Sequence, residues 1–172
     1  MKTKVITECF FDTMLVEKII QDTIKVWHRR GSSNVIIALL EDKIKDDFKI
    51  GVIDKDKKPL KYLEKFKRKE CEGFNFYWSK ELLAVVVELD PQLESWILNI
   101  CYEEKFDLET IGLFNDVKKL RGYTKFELVN ESEKLKKLVS FLVNCKNKKI
   151  ESLKNCLNHL LMNQANFDLD SI

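Results

Sequence analysis

The sequence has little of what marks several large classes of protein. It contains 5 glycines among 172 residues and no glycine-rich phosphate loop, so nothing supports a nucleotide-hydrolysing motor. Its 5 cysteines form no Cys-x-x-Cys pair, which disfavours zinc sites and disulfide frameworks and predicts small buried thiols. It has no apolar run of membrane-spanning length and no signal-peptide pattern at its start. We therefore expect a cytoplasmic protein with no membrane partner.

What the sequence does have is a sizeable apolar fraction and many charges. Hydrophobic residues make up 45% and charged residues 34% of the chain, with a net charge of +2. This length and composition predict one well-buried globular unit. Segment 57–69 holds seven basic residues against one acid, Glu64. Such a segment is compatible with a phosphate backbone, although a charge run is usually a solvated helix face.

Strand-like and helix-like segments alternate along the first hundred residues. Apolar runs predict strands at 4–7, 48–53, 74–78 and 82–87, and helical spacing predicts helices at 11–27, from 59, from 91, and at 107–122, 132–145 and 149–162. The run 35–40 fits either a strand or a helix. The pattern predicts an α/β fold with a mostly parallel central sheet flanked by helices and a helical C-terminal cap. We expect residues 1–125 to form the α/β domain and residues 126–172 a helical extension packed on it.

Several acids fall at or just after the ends of predicted strands. In open α/β sheets, ligands bind beyond the carboxyl ends of the strands. Asp54 and Asp56 are separated by one residue, and Glu8 can join them if its strand is a neighbour. Oxygen ligands of this kind suit Mg²⁺ or Mn²⁺, which would polarise a phosphoryl oxygen. Glu8 could then serve as a ligand or as a general acid or base.

Two segments resemble the Toprim family, which is shared by topoisomerases, bacterial primases, recombination mediators and overcoming-lysogenization-defect nucleases. "VITECFFDTMLVEKII" is similar to the first motif of that family and "IGVIDKD" to the second. The resemblance implies that Glu8 is the invariant acid and that Asp54 and Asp56 are the two acids of the second motif. It also places Asp12 where small nuclease-like members often have an acid at the helix start.

A third segment extends the resemblance. "ELDPQLESWIL" is similar to a segment of small stand-alone Toprim-like proteins from bacterial defence loci. It puts forward Glu88 or Glu94 as a fourth acid of the metal site, and the two stay open. Glu88 ends a predicted strand, as a ligand should, whereas Glu94 lies one turn into a predicted helix.

The family resemblance implies a Rossmann-like fold and a nuclease that depends on Mg²⁺ or Mn²⁺, with a role in phage defence or DNA repair. The catalytic residues would be Glu8, Asp54 and Asp56. The nucleic-acid-binding residues would be Lys55, Lys57, Lys58 and Lys61. Whether the substrate is DNA or RNA stays open, as do a homo-oligomer and a partner protein such as an ATPase.

Other interpretations of the same acids remain. The family usually has glycine after its first acid, and this chain has Cys9, which favours a non-catalytic Toprim-like subunit or nucleic-acid-binding module working with a partner such as an ATPase. Asp54 and Asp56 could also merely end a strand in a turn. The haloacid dehalogenase pattern is disfavoured because Lys57 and Lys58 follow the second acid. A calcium loop is disfavoured because the segment lacks its glycine and its further oxygen ligands.

Overall fold

A computed structural model describes residues 2–21, 23–41, 47–55, 61–125 and 131–167. The strands are β1 (Thr3–Thr7), β2 (Val26–His28), β3 (Phe48–Asp54), β4 (Lys67–Cys71), β5 (Phe74–Ser79) and β6 (Ala84–Leu89). The α-helices are α1 (Phe10–Ile19), α2 (Ser32–Glu41), α3 (Leu93–Glu103), α4 (Val117–Thr124), α5 (Glu133–Asn144) and α6 (Lys148–Asn163). Short 3₁₀ helices cover Lys61–Lys65, Leu108–Ile111 and Gln164–Asn166. Asp56, Lys57, Lys58 and the predicted helix start at Pro59 lie outside the described residues.

The strands form one sheet in the order β2-β1-β3-β6-β5-β4. Strands β2, β1, β3 and β6 run parallel to one another; β5 then pairs antiparallel with β6, and β4 pairs antiparallel with β5. The prediction of an α/β fold with a mostly parallel sheet is confirmed. Because β1 and β3 are parallel neighbours, the acids at their carboxyl ends, Glu8 and Asp54, lie at the same end of the sheet.

Helices cover both faces of the sheet. On the face that we call the α1 face, alternate strand residues pack against α1, α3, α5 and α6; the core there includes Val5, Ile50, Val85, Phe11, Trp96, Leu138 and Leu157. On the opposite face, the α2 face, the other strand residues pack against α2 and the first 3₁₀ helix; the core there includes Ile6, Ile53, Val86, Val35, Leu39 and Leu63. The period-two alternation of strand side chains produces these two cores.

The predicted helix over 11–27 is wrong in its second half. Helix α1 ends at Ile19, and Val26–His28 forms the edge strand β2 instead. Helical spacing of apolar residues continues to Trp27, but Gln21 has a positive φ of 54°, which breaks the helix. Val26 then pairs with Val5 of β1. Residues 26–28 form a strand because they make backbone hydrogen bonds to β1, and the spacing of apolar residues cannot reveal such a contact.

Two further helix predictions are also wrong in part. The helix expected from residue 59 onward is a short 3₁₀ helix followed by strand β4, whose charged residues suit an exposed sheet edge. The helix expected over 107–122 is split into a 3₁₀ turn and α4, because Gly112 ends the turn in a left-handed conformation. The ambiguous run 35–40 lies in helix α2. No helix of the described part of the chain is long and apolar enough to cross a membrane.

Gly51 lets α2 lie close against β3, and this contact yields a test. A β-carbon at Gly51 would lie 2.8 Å from Leu39 Cδ1 and 3.1 Å from Val35 Cγ1. Gly51→Ala should therefore lower the free energy of unfolding by about 1–3 kcal/mol, measured by urea denaturation. The control is Gly122→Ala in α4, where a β-carbon would meet no atom within 4 Å; it should raise stability by up to about 1 kcal/mol. Unchanged stability of Gly51→Ala would show that Leu39 and Val35 can shift away from the added methyl group at little cost.

Candidate functional site

Glu8 joins the ends of two strands to the start of a helix. It directly follows β1, and its backbone N–H donates to the Val52 carbonyl of β3 over 3.1 Å. Its carboxylate is buried, with Oε2 accepting hydrogen bonds from Ser32 Oγ at 2.6 Å and from the Asp54 backbone N–H at 2.9 Å. Ser32 is the first residue of α2. The side chain predicted as the first metal ligand is therefore held in one orientation by two donors.

Asp54 ends β3 and caps a helix from outside that helix. Its Oδ1 accepts a hydrogen bond from the backbone N–H of Leu93, the first residue of α3, at 3.0 Å. The residue before it, Gln92, makes no side-chain capping bond, so Asp54 takes the place of the N-cap side chain. The other oxygen, Oδ2, lies 3.8 Å from Lys125 Nζ. Asp54 thus has a structural role as well as the predicted chemical one.

Asp12 and Cys9 form a capping box at the start of α1. Asp12 Oδ2 accepts from the Cys9 N–H at 3.2 Å, and Cys9 Sγ accepts from the Asp12 N–H at 3.4 Å. Asp12 Oδ1 is buried and has no hydrogen-bond partner in the structure. Cys9 has φ −132° and ψ 169°, an ordinary extended conformation. A side chain at this position therefore causes no backbone strain, although glycine is usual there in the family that the motif resembles.

Glu94 ties α3 to α4. Its side chain is fully buried, with Oε1 accepting from Thr124 Oγ1 at 2.7 Å and Oε2 accepting from Arg121 Nε at 3.3 Å. Both oxygens therefore have partners. By holding Thr124, Glu94 also fixes the end of α4, where Lys125 follows directly.

Glu8, Asp12, Asp54 and Glu94 together form what we call the acidic centre. Burial raises the pKa of Asp54 to about 7, with Glu8 and Glu94 adding to the rise and Lys125 opposing it. Burial also raises the pKa of Asp12 well above its usual value, and the charge of Asp54 raises it further. Burial alone would lower the pKa of Lys125, but the combined attraction of the acids outweighs burial and raises it.

Glu88, the other candidate for a fourth acid, has different surroundings. It is paired in register with Ile53 of β3, one residue before Asp54, so Glu88 and Asp54 point to opposite faces of the sheet. Glu88 Oε2 accepts from Asn75 Nδ2 at 2.9 Å and from the Tyr77 hydroxyl at 3.1 Å. Within the described residues, no hydrogen bond or ion pair joins Glu88 to the acidic centre. Of the predicted ligands, the structure brings Glu8 and Asp54 into contact, and Glu94 lies near enough for its charge to raise the pKa of Asp54.

The predicted nucleic-acid-binding lysines are described only in part. Lys55 Nζ pairs with Asp90 Oδ2 at 2.6 Å, so its charge is already partly compensated. Lys61 is exposed at the start of the first 3₁₀ helix. Lys57 and Lys58 lie outside the described residues.

Glu8 and Asp54, the predicted ligands that lie within the described residues, have oxygens that suit a hard cation. Glu8 Oε1 and Asp54 Oδ2 accept no hydrogen bond from a described residue, so each is available as an oxygen donor, and Asp12 Oδ1 is a third unsatisfied oxygen. Among the described residues, no three His, Cys, Asp or Glu side chains are grouped so as to hold a metal ion. The third predicted ligand, Asp56, is not among those residues.

Sequence reasoning missed Ser32, Thr124 and Lys125. Ser32 lies in a segment that the sequence marks only as a turn, and nothing local distinguishes Lys125 from the other lysines. Known proteins add no further indication of function. No family model, curated protein or solved structure matches this chain. The Toprim resemblance therefore stays a hypothesis, and its support is the position of Glu8 and Asp54 at the ends of adjacent parallel strands.

The raised pKa of Asp54 predicts how stability changes with pH. A carboxyl group whose pKa is higher in the folded state binds its proton more tightly there, so its stabilising contribution is complete below about pH 4 and is lost as the pH rises to about 7. Asp54→Asn keeps the acceptor for the Leu93 N–H but carries no charge. In EDTA it should be more stable than the wild type by up to about 4 kcal/mol at pH 8, with the difference shrinking towards pH 4, as measured by urea unfolding.

The control is an aspartate whose pKa is shifted in the opposite direction, so that its replacement should change stability with the opposite sign. The pKa of Asp107 is lowered by its hydrogen bonds from Asn115 and from the Glu109 N–H, so Asp107→Asn should slightly lower stability at pH 8 and have less effect at pH 4. A metal-free Asp54→Asn protein that is less stable than the wild type at pH 8 would contradict the prediction. It would mean that the bonds of the charged Asp54 outweigh the cost of burying it.

Proposed function

We propose that this chain is a Toprim-like nuclease that uses Mg²⁺ or Mn²⁺ to cut phosphodiester bonds in DNA or RNA, with a role in phage defence or DNA repair. One observation supports this most: the two motif acids Glu8 and Asp54 meet at the carboxyl ends of the neighbouring parallel strands β1 and β3, with 2.9 Å between Glu8 Oε2 and the Asp54 backbone nitrogen. This edge is where α/β sheets bind their ligands.

Glu8, Asp54 and Asp56 would hold the metal. When bound, it would supply positive charge to a phosphate oxygen and make hydroxide available near neutral pH. Positive charge is scarce at the acidic centre: among the described residues, Lys125 pairs with Asp54 and Arg121 with Glu94, whereas Glu8 and Asp12 have no ion-pair partner. The partnerless Asp12 Oδ1 and the pKa of about 7 at Asp54 are consistent with this shortage.

The protein's own groups have separate tasks in this scheme. Ser32 and the Asp54 N–H orient the Glu8 carboxylate, which suits a fixed ligand. Asp54, with a pKa of about 7 in the metal-free protein, would give up its proton on binding the metal. Lys125 is partly exposed, at 42% of its side chain, and its ammonium group can donate to a phosphate oxygen of the substrate.

A second candidate is a non-catalytic Toprim-like subunit that works with a partner such as an ATPase. The observation that favours it is that the acids also have structural partners: Asp54 caps α3 and pairs with Lys125, and both oxygens of Glu94 accept hydrogen bonds. This candidate predicts that the protein binds a partner or nucleic acid without turnover under any divalent metal.

Thermal melts with EDTA, Mg²⁺ or Mn²⁺ test the metal site. The wild type should be stabilised by about 2.7 kcal/mol when the metal is at a hundred times its Kd, and Asp54→Ala with Asp56→Ala should lose that effect. Glu88→Gln is the matched control, because Glu88 points to the other face of the sheet, and it should keep the shift. Absence of a metal-dependent shift in the wild type would contradict the site.

The pH dependence of metal binding gives a second test. Protons compete with the metal for Asp54, whose pKa is about 7, so the apparent affinity should rise up to about tenfold per pH unit below pH 7 and level off above it. Isothermal titration at pH 5.5, 6.5, 7.5 and 8.5 would measure this. A flat profile would show that Asp54 is not a ligand.

Cleavage assays then separate the two candidate functions. The wild type with Mg²⁺ or Mn²⁺ should cut DNA or RNA, and the Asp54→Ala, Asp56→Ala protein should not. Metal binding without cleavage of either nucleic acid would favour the non-catalytic subunit.

A further inference from the structure

A second candidate ligand surface lies outside the acidic centre, on the α2 face of the sheet, and its floor includes the apolar side chains of Ile6, Ile37 and Ala38. A cleft of about 520 Å³ lies beside the edge strand β2, between that strand and α2. We call it the basic cleft; the lining residues that matter here are Lys4, Trp27, Arg29, Arg30 and Asn34. The proposed metal chemistry uses none of them.

The charge of the basic cleft has one sign. Its described lining contains three basic side chains and no acid. Lys4 is partly compensated by Asp47 at 3.6 Å, so the strongest positive charges are those of the exposed Arg29 and Arg30. Guanidinium groups bind phosphate oxygens through two parallel hydrogen bonds. The cleft is therefore complementary to a phosphate-bearing ligand.

Trp27 adds an aromatic surface to these charges. Its side chain is 46% exposed, although tryptophan is usually among the most buried residues. It is paired in register with Ile6 and so faces the α2 side of the sheet. Lys25 Nζ lies 4.4 Å from its ring centroid and brings a further cation to the ring. Aromatic rings beside basic groups stack with unpaired bases, whose faces are covered in a duplex.

The basic cleft ends close to the acidic centre. The Arg29 N–H donates to the Thr7 carbonyl, one residue before Glu8, at 2.9 Å. On the other side of the turn, Ser32 follows Arg30 by two residues and donates to the Glu8 carboxylate. A chain bound along the cleft past Arg29 and Arg30 would thus come close to Glu8.

We propose that the basic cleft binds a segment of single-stranded DNA or RNA, with phosphates on Arg29 and Arg30 and a base stacked on Trp27. The combination of cations with an exposed indole ring favours this ligand over an acidic peptide, which has no base to stack, and over a duplex. Binding requires neither a metal nor turnover, so the inference goes beyond the proposed nuclease activity and is tested independently of it.

The test is fluorescence anisotropy with labelled oligothymidylate and oligouridylate, in EDTA and over a series of salt concentrations. Both single strands should bind more tightly than a duplex of equal length. Trp27→Ala should weaken binding about ten- to a hundredfold, whereas Trp27→Phe should retain most of it. Arg29→Gln with Arg30→Gln should reduce the slope of log affinity against log salt by about 1.4, since each phosphate contact contributes about 0.7.

The matched control is Lys146→Gln with Lys148→Gln, which removes the same charge from exposed positions at the junction of α5 and α6, helices that pack on the opposite face of the sheet. It should leave the salt slope unchanged. Asp54→Ala with Asp56→Ala should also keep single-strand binding, which separates this inference from the metal site. Thermal melts of each variant confirm folding.

Three outcomes would overturn the proposal. The first is no binding of either oligonucleotide at low salt. The second is equal binding of polyglutamate with no effect of Trp27→Ala, which would indicate a surface for an acidic protein. The third is tighter binding of the duplex than of single strands.

Discussion

Burial of like-charged carboxyl groups at one edge of the sheet is the constraint on which the rest of this end of the molecule depends. Glu8, Asp12, Asp54 and Glu94 are each at most 9% exposed. Buried carboxylates are costly unless donors surround them. The donors come from the beginnings of α1, α2 and α3 and from the end of α4. The hydrogen bonds that stabilise the buried acids therefore also fix the positions of four helices relative to the sheet.

The hydrogen bonds and ion pairs among the described residues do not fully compensate the buried acids. A set of acids with a purely structural role would normally have every buried oxygen satisfied. Asp12 Oδ1, however, has no hydrogen-bond partner among the described residues, and burial raises the pKa of Asp54 to about 7. Lys125, the cation nearest to Asp54, is half-exposed and lies at the end of a flexible stem. The ion pair with Lys125 therefore offsets only part of the cost of burying Asp54, whose pKa stays raised.

The positions of Glu8 and Asp54 could be predicted from sequence because strong apolar runs end at these residues and parallel strands bring their carboxyl ends to one edge. Strand β2 could not be predicted, because three residues inside a helix-like spacing become a strand only through pairing with β1. The charged strand β4 likewise depends on β5 beside it. Choosing between Glu88 and Glu94 requires knowledge of the register of β6 on β3. Predicting that Lys125 lies beside Asp54 requires knowledge of how α4 packs on α3. Each of these is a long-range contact without a local signal.

The unpredicted strand β2 also resolves an electrostatic difficulty. A polyanion approaching four buried acids would be repelled unless positive charge lay on its path. Strand β2 and the turn after it place Trp27, Arg29 and Arg30 beside β1, whose end carries Glu8. Opposite charges are thereby kept on adjacent surfaces: under the two proposals, the basic cleft would attract the chain and the acidic centre would keep its oxygens for a cation. The modest net charge of +2 conceals this division, because it sums an acidic and a basic surface.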